Sequence, residues 1–247
     1  MVLERLKEEE IKQILSLIAR GKSLNYISNK LNKSKTTVYY HFRKVKGRTM
    51  NPPRIKSKNQ EIIGEFIGLF AGDGSYTFDK KQYRHTTRLF FNVNEKPFVD
   101  SLIKNTLTKL LGKKPVVFRR NNVLVLGYYS KEVYNLIKNY LFWDPESRKT
   151  HTVRLFKTNH SKPFMMGFVR GSLDSDGYFS KKKISFASVS KDLMENVSVF
   201  LKKLEIKHDL RVYIEKRKNR NNLYYINVRK PEREKFISLI KPRNVKF

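Results

Sequence analysis

Phe66-Ile67-Gly68-Leu69-Phe70-Ala71-Gly72-Asp73-Gly74 recurs later in the chain as Val169-Arg170-Gly171-Ser172-Leu173-Asp174-Ser175-Asp176-Gly177. Each copy reads as the end of an apolar helix. Small residues stand one turn apart in both, Gly68 with Gly72 and Gly171 with Ser175, so one face of each helix carries almost no side chain. Two such faces can bring their backbones close together. Both copies stop on Asp-Gly. Glycine is a usual terminator, but a carboxylate in the last turn meets the negative end of the helix dipole. Packing the helices side by side adds like-charge repulsion between Asp73 and Asp176. A divalent cation between the acids would remove both penalties, and the backbone carbonyls left over at the helix ends, those of Gly72 and Ser175, are further oxygen ligands for it.

The 247 residues allow one sizeable core or two to three small ones. Lys and Arg number 53 against 22 Asp and Glu, a formal charge of +31. That much self-repulsion destabilises a compact state and calls for a polyanion as partner. No run of about 18 apolar residues and no isolated basic amphipathic helix points to a membrane, so nucleic acid is the expected polyanion. The charged opening Met1-Val2-Leu3-Glu4-Arg5 does not read as a signal peptide, and an intracellular location, cytoplasmic or nucleoid-associated, is expected. The absence of cysteine excludes disulfides and thiolate zinc sites, and the five histidines do not cluster at ligand spacing.

Residues 1–46 read as helices alone. Leu6, Ile11, Ile14, Leu15 and Ile18 form a stripe of period 3.6 that ends at Gly21. Ser23 caps a second helix with Leu24, Ile27 and Leu31 on one face, and Ser34 caps a third with Val38 and Phe42 inward. The third helix is expected to expose Lys35, Thr36, Thr37, Tyr40, His41 and Arg43. This arrangement resembles a helix-turn-helix of the resolvase or invertase type, which implies that the last helix enters the major groove of DNA. Residues 47–60, with Pro52-Pro53 and a run of basic residues, read as an extended linker and domain boundary.

After the first motif, strands over 75–78 and 88–93, a helix over 97–111, strands over 115–118 and 123–128, and a helix over 131–141 are expected. After the second motif the same order returns: strands over 178–179 and 184–188, a helix over 191–204, strands over 210–215 and 223–229, and a helix over 231–240. Two αββαββα units, 61–145 and 160–247, therefore form one tandem domain over 61–247, related by a pseudo-twofold axis. The fold class is α+β, with a small all-α domain in front.

The repeated nonamer resembles the motif of the LAGLIDADG homing endonucleases, of the two-motif, single-chain type. Asp73 and Asp176 stand at the eighth position, the family's metal-binding acid. Ala71 replaces the acid often found at the sixth position, which Asp174 fills in the second copy. The resemblance implies a lysine near each active centre after the last helix of each unit, matched by Lys149 and Lys246. It also implies a water-orienting polar residue after the second strand of each unit, matched by Glu95 and Ser190. Glu95 departs from the amide usual in the family.

In each unit the hairpin loops are basic. Lys80, Lys81, Arg84, Arg88, Arg119 and Arg120 lie in the first unit, and Lys181, Lys182, Lys183, Lys216, Arg217, Lys218 and Arg220 in the second. Strand alternation sets Arg211, Tyr213 and Glu215 on one face and Tyr225, Asn227 and Arg229 on the matching face, opposite apolar residues that helices must cover. The two polar faces would form a positive saddle whose side chains read base edges and phosphates. The expected function is a monomeric endonuclease that uses Mg²⁺ or another hard cation to cut double-stranded DNA at a long, near-asymmetric site. The alternatives are a DNA-binding transcription regulator of the same fold that does not cut, and an RNA splicing maturase.

Overall fold

The computed structural model describes residues 6–46, 52–180, 182–217 and 221–244. The chain divides into two compact units, Met1–Pro52 and Pro53–Phe247. In the first, α1 (Glu8–Ala19), α2 (Leu24–Lys30) and α3 (Lys35–Lys46) pack Ile14, Leu17, Ile18, Ile27 and Val38 into a small core. Ser23 Oγ accepts the Tyr26 N–H at 3.2 Å and Ser34 Oγ the Thr37 N–H at 3.1 Å, so both caps form as the sequence suggests. Lys35, Thr36, Tyr40 and Arg43 are exposed and Thr37 is half-buried. His41 is a correction: three residues beyond Val38, it shares the inward face and is buried.

Residues 47–51, within the expected linker, lie outside the described residues. The remainder is not a loose spacer. The N–H groups of Arg54 and Lys56 donate to the carbonyls of Leu111 and Leu110, the Pro53 carbonyl accepts from Ser130 Oγ, and the Ile55 N–H donates to Glu132. An extended chain points alternate backbone groups to one side, so a proline pair that forbids helix can still dock as an edge.

The larger unit contains α4 (Gln60–Asp73), β1 (Gly74–Asp79), β2 (Arg84–Asn92), α5 (Lys96–Leu102), α6 (Thr108–Leu111), β3 (Val116–Arg120), β4 (Val123–Tyr129) and α7 (Lys131–Tyr140). A connector with β5 (Leu141–Phe142), α8 (Lys149–Thr152) and β6 (Arg154–Leu155) leads to α9 (Lys162–Asp176), β7 (Tyr178–Phe179), β8 (Ile184–Ser188), α10 (Lys191–Lys203), β9 (His208–Tyr213), β10 (Leu223–Val228) and α11 (Arg233–Ile240). The sheets are antiparallel with matching orders, β1-β2-β4-β3 and β7-β8-β10-β9. Duplication is therefore visible in topology as well as in the motif.

Three details differ from the sequence expectation. β2 starts at Arg84, which shortens the first hairpin loop to residues 80–83 and buries Thr86 and Thr87. Arg119 and Arg120 belong to β3, and the turn is only Asn121-Asn122, with Asn121 left-handed at φ 53°. The expected helix over 97–111 is interrupted by a π-helical turn, Ile103–Leu107, between α5 and α6. The extra residue per turn places Thr106 fully inside, where it meets charged groups rather than solvent.

At the centre α4 lies against α9. A Cβ added at Gly64 or Gly68 would come within 3.0 Å of the backbone of α9, and one at Gly167 or Gly171 equally close to the backbone of α4. Small residues thus line both helices every fourth position, Gly64-Gly68-Gly72 against Gly167-Gly171-Ser175, one turn longer than the motif alone suggests. Apolar side chains of both helices, among them Phe66, Phe70, Phe164 and Phe168, turn outward into one continuous core under both sheets.

A buried ionic group crosses the same contact. Arg170 Nη1 donates to Glu65 Oε2 at 3.2 Å, Arg170 Nη2 donates to Glu61, and Arg170 Nε donates to the Ile240 carbonyl at 2.6 Å. Arg243 Nη1 reaches Glu65 Oε1 at 3.0 Å and Thr106 Oγ1 at 2.8 Å. Each buried charge has several partners, which is the condition for tolerating its desolvation. Asp174 is also buried, and its Oδ1 accepts the N–H groups of Arg243 and Asn244 at 3.1 and 3.0 Å. Burial pushes its carboxyl up to about 6.

His160, just ahead of α9, stacks on Phe164 with ring centroids 4.1 Å apart, and its Nε2 is buried without a hydrogen-bond partner. Burial lowers its pKa, so the folded protein favours the neutral ring.

Replacing glycine with alanine inside a helix normally gains about 1 kcal/mol. Gly171→Ala is expected to reverse that sign and destabilise the protein by about 1–3 kcal/mol in urea unfolding, because the added methyl must displace backbone rather than a flexible side chain. A neutral or stabilising result would mean that α4 and α9 are not in backbone contact. A depressed imidazole pKa contributes stability that is present above the ordinary His range and lost as pH falls through it. The His160 contribution to unfolding free energy should therefore decline as pH drops below about 6.5, opposite in sign to that of the raised Asp174 carboxyl. His160→Phe should thus become less destabilising relative to the parent protein as pH falls, measured by melting curves of both between pH 7 and pH 5.

Candidate active site

The two glycine-lined helices end together. A Cβ on Gly72 would lie 2.7 Å from Oδ2 of Asp176 and closer still to Ser175 Oγ, so the Asp176 carboxylate sits against the end of α4. Asp176 is exposed and Asp73 half-buried. A cleft of about 200 Å³ opens here, lined by Ala71, Gly72, Thr150, Asp176, Ala187 and Ser188 among others.

Lys149 comes to the same place. It lies in the connector between the units, where β5 pairs with β6 through Leu141 and Leu155 and folds the intervening chain back toward α4. Its Nζ donates to the carbonyls of Phe70, Ala71 and Gly72 at 2.7, 2.7 and 3.0 Å. These are carbonyls at the C-terminal end of α4, and a cation there is favoured by the helix dipole. Burial pulls the Lys149 pKa down to about 8, while the charges of Asp176 and Asp73 oppose that shift. The ammonium is thus coupled to both carboxylates and ties the site into one electrostatic unit.

Glu95 and Ser190 stand at matching places in the two units, and the structure gives both of them holding contacts. Ser190 is fully buried. Its Oγ accepts the Leu193 N–H at the start of α10 and donates to the Val153 carbonyl, four residues beyond Lys149. Glu95 accepts the Asn92 N–H at 2.8 Å and the Asn244 side-chain amide at 2.7 Å. Each residue therefore grips the segment that follows the last helix of the opposite unit. A hydroxyl without exposure cannot orient a solvent water, which removes Ser190 from that expected role. Ser175 Oγ turns back to the Gly171 and Ser172 carbonyls at 3.0 and 3.3 Å. Lys246, Lys181, Lys218 and Arg220 lie outside the described residues.

Among the described residues no group of three or more His, Cys, Asp or Glu side chains stands together for a metal. The donor set still fits a hard cation. Mg²⁺ is usually held by one or two carboxylates, with substrate phosphates and water filling the other positions. The Gly72 carbonyl already accepts from Lys149 but keeps a second lone pair.

The strand register defines the outer surface. In the second sheet Ile226 and Val228 point to the helices, so Tyr225 and Asn227 face out with Arg211 and Asp209. Arg229 is paired with Asp209 at 2.7 Å, and Arg217 with Glu215 at 2.6 and 2.9 Å, which leaves them less positive than the sequence suggests. Lys182, Lys183, Arg211, Tyr213 and Lys216 are exposed. Leu210 and Val212, expected under helices, are exposed as well: α10 meets β9 at its first residue, where Ser198 Oγ and His208 Nε2 lie 2.7 Å apart, and the edge strand runs on beyond.

In the first sheet Leu89 and Leu126 face the helices, so Arg84, Arg88 and Arg120 belong to the open face. Arg84 stacks over Tyr129 there, 5.5 Å from the ring centre. Arg119 has the opposite parity, and its Nε donates to the Asn121 carbonyl at 2.7 Å. Lys80 and Lys81 are exposed at the loop.

Sequence reasoning missed Gly64 and Gly167, although their four-residue spacing to the motif glycines was there to be read. It gave no sign of the Arg170, Glu65 and Thr106 group, whose members are distant in sequence. No described helix is long and apolar enough to cross a membrane.

Residues 163–241 match the LAGLIDADG-like domain family, and residues 4–44 match a helix-turn-helix domain family. An uncharacterized protein of Methanocaldococcus jannaschii is 24% identical over 83% of this chain and 74% of its own length. The replication factor C small subunit of the same organism is 26% identical over 69% of this chain, but only 9% of that protein is covered. Among solved structures, the homing endonuclease I-DmoI in complex with DNA and Ca superposes with a TM-score of 0.55 at 17% identity, over 74% of this chain and 91% of that one. The homing endonuclease I-WcaI bound to its DNA recognition sequence superposes with a TM-score of 0.50 at 15% identity, over 77% and 84%. Residues 163–241 therefore carry a LAGLIDADG-like domain match and residues 4–44 a helix-turn-helix match, and the paired motif helices with two sheets of one topology have the fold seen in those two homing endonuclease structures.

Proposed function

We propose that the protein is a site-specific endonuclease that hydrolyses both strands of duplex DNA with Mg²⁺ or a similar hard cation. The observation that carries this reading is the meeting of Asp73, Asp176 and Lys149 at the joined ends of α4 and α9. The proposed metal ligands are Asp73 and Asp176, with the Gly72 and Ser175 carbonyls in support. When bound, such a cation lowers the pKa of water and stabilises the leaving oxygen of a phosphodiester. Lys149, protonated below about pH 8, holds positive charge beside the acids where a phosphoryl group would gather negative charge. Lys246 is the proposed counterpart for the second strand.

The sheets are the proposed duplex-binding surface, with Arg84, Arg88, Arg120, Arg211, Tyr213 and Asn227 aimed at it. The helix-turn-helix would add contacts outside that footprint through Lys35, Thr36, Tyr40 and Arg43. A single chain already supplies both halves of the site, so the active species is read as a monomer. Its unlike halves suit a non-palindromic target.

Incubating the protein with a random duplex library should yield cut ends with Mg²⁺ and retained, uncut duplex with Ca²⁺. Asp73→Asn and Asp176→Asn should each lower cleavage roughly 100-fold or more while binding in Ca²⁺ persists. Retention without cutting under every metal would instead make the protein a regulator, and preference for folded RNA would make it a maturase. Lys149→Met should slow cleavage and also destabilise the fold by about 1–3 kcal/mol, since it strands buried carbonyls. Unchanged stability in that variant would mean that the contacts to Phe70, Ala71 and Gly72 do not form.

A further inference from the structure

The open faces of the two sheets are made of different chemistry at matching positions. Across the first sheet, Phe90, Val125 and Phe118 stand in one cross-strand row. Counted from the repeated motif, where Ser75 pairs with Arg88 and Tyr178 with Ser185, the matching row in the second sheet is Ala187, Tyr225 and Arg211, with Ser185, Asn227 and Asp209 in the next row on the same face. Val116, two residues before Phe118, continues the apolar surface along the edge strand β3, on the same face. Val116 and Phe118 are 53% and 42% exposed, while Val125, flanked by Phe118 and Phe90, is 2% exposed, so the row forms a continuous ridge rather than scattered side chains. Arg88 and Arg120 border it on that face.

A solvent-facing aromatic and aliphatic ridge is costly unless something apolar covers it. The arginine border and the net charge of +31 call for a polyanion as the occupant. Duplex DNA offers one apolar group in the major groove, the C5-methyl of thymine, and phenylalanine and small aliphatic groups are its usual contacts. We infer that Val116 and Phe118 determine specificity by packing on thymine methyls, so that one half of the DNA site is read by methyl contact and the other, under Asn227 and Arg211, by hydrogen bonds. This rests on the endonuclease reading only in requiring duplex DNA on the sheets.

The test uses the full chain in Ca²⁺. Duplexes retained from a random library are sequenced, and the thymines of a retained site are replaced by deoxyuridine, which lacks only the methyl, in one half at a time. Each methyl lost in one half should weaken binding about three- to five-fold, the worth of one buried methyl group. The same replacement in the other half should change binding less than two-fold. Phe118→Ser, at an exposed position, should abolish the difference between thymine and deoxyuridine in the sensitive half while melting temperature is kept. Equal affinity for thymine and deoxyuridine in both halves, or equal losses in both, overturns the inference and leaves the endonuclease reading standing. So does a Phe118→Ser protein that binds DNA and discriminates as before, which would free the ridge for a protein partner. Failure to retain any duplex overturns both.

Discussion

Everything in the larger unit hangs on the approach of α4 to α9 along faces that carry no side chains. Backbone-to-backbone packing at Gly64, Gly68, Gly167 and Gly171 leaves no room for adjustment, because the neighbouring atoms are main-chain and cannot rotate away. The rigidity of the contact is what delivers Asp73 and Asp176 together. Two carboxylates at two helix ends are unfavourable neighbours. The fold forces them into that position and balances it with a buried ammonium from Lys149.

The buried charges show how a duplicated fold can become asymmetric without losing its frame. Arg170 joins Glu61 and Glu65 across the helix pair, and Arg243 adds to Glu65 from the chain beyond α11. These links have no mirror copy, since the positions exchanged by the pseudo-twofold carry apolar residues such as Ile67 and Phe168. Paired with a second copy of itself, the half that carries Glu65 would set Ile67 where Arg170 stands, and the half that carries Arg170 would set Phe168 where Glu65 stands, so either pairing would strand a buried charge. The network thus favours pairing of unlike halves, a use of buried ions for specificity rather than for net stability. Glu95 and Ser190 add cross-ties of the same sense, each holding the segment that closes the other unit.

The sheets diverge in the opposite manner. Their topology and register are conserved between halves while the outward side chains are exchanged for different chemistry. Because side chains alternate strictly along a strand, the outward positions are free to vary without disturbing the core beneath. Two recognition surfaces can therefore drift apart on one scaffold, which is the physical basis for reading an asymmetric partner with a symmetric frame.

Much of this was legible in the chain alone. Glycine spacing, Asp-Gly terminators and the repeated order of periodicities depend on neighbours in sequence, and they identified the helix pair, both acids, the duplicated αββαββα plan and the three N-terminal helices. Tertiary structure alone decided what depends on partners far away. It enclosed Lys149 under three carbonyls and turned Ser190 inward as a holding group. It inserted a π turn that carries Thr106 to Glu65, and it left Leu210, Val212 and Phe118 in the open where alternation by itself would have assigned only two faces. Periodicity states which residues share a side of an element; only packing says what, if anything, lies against that side.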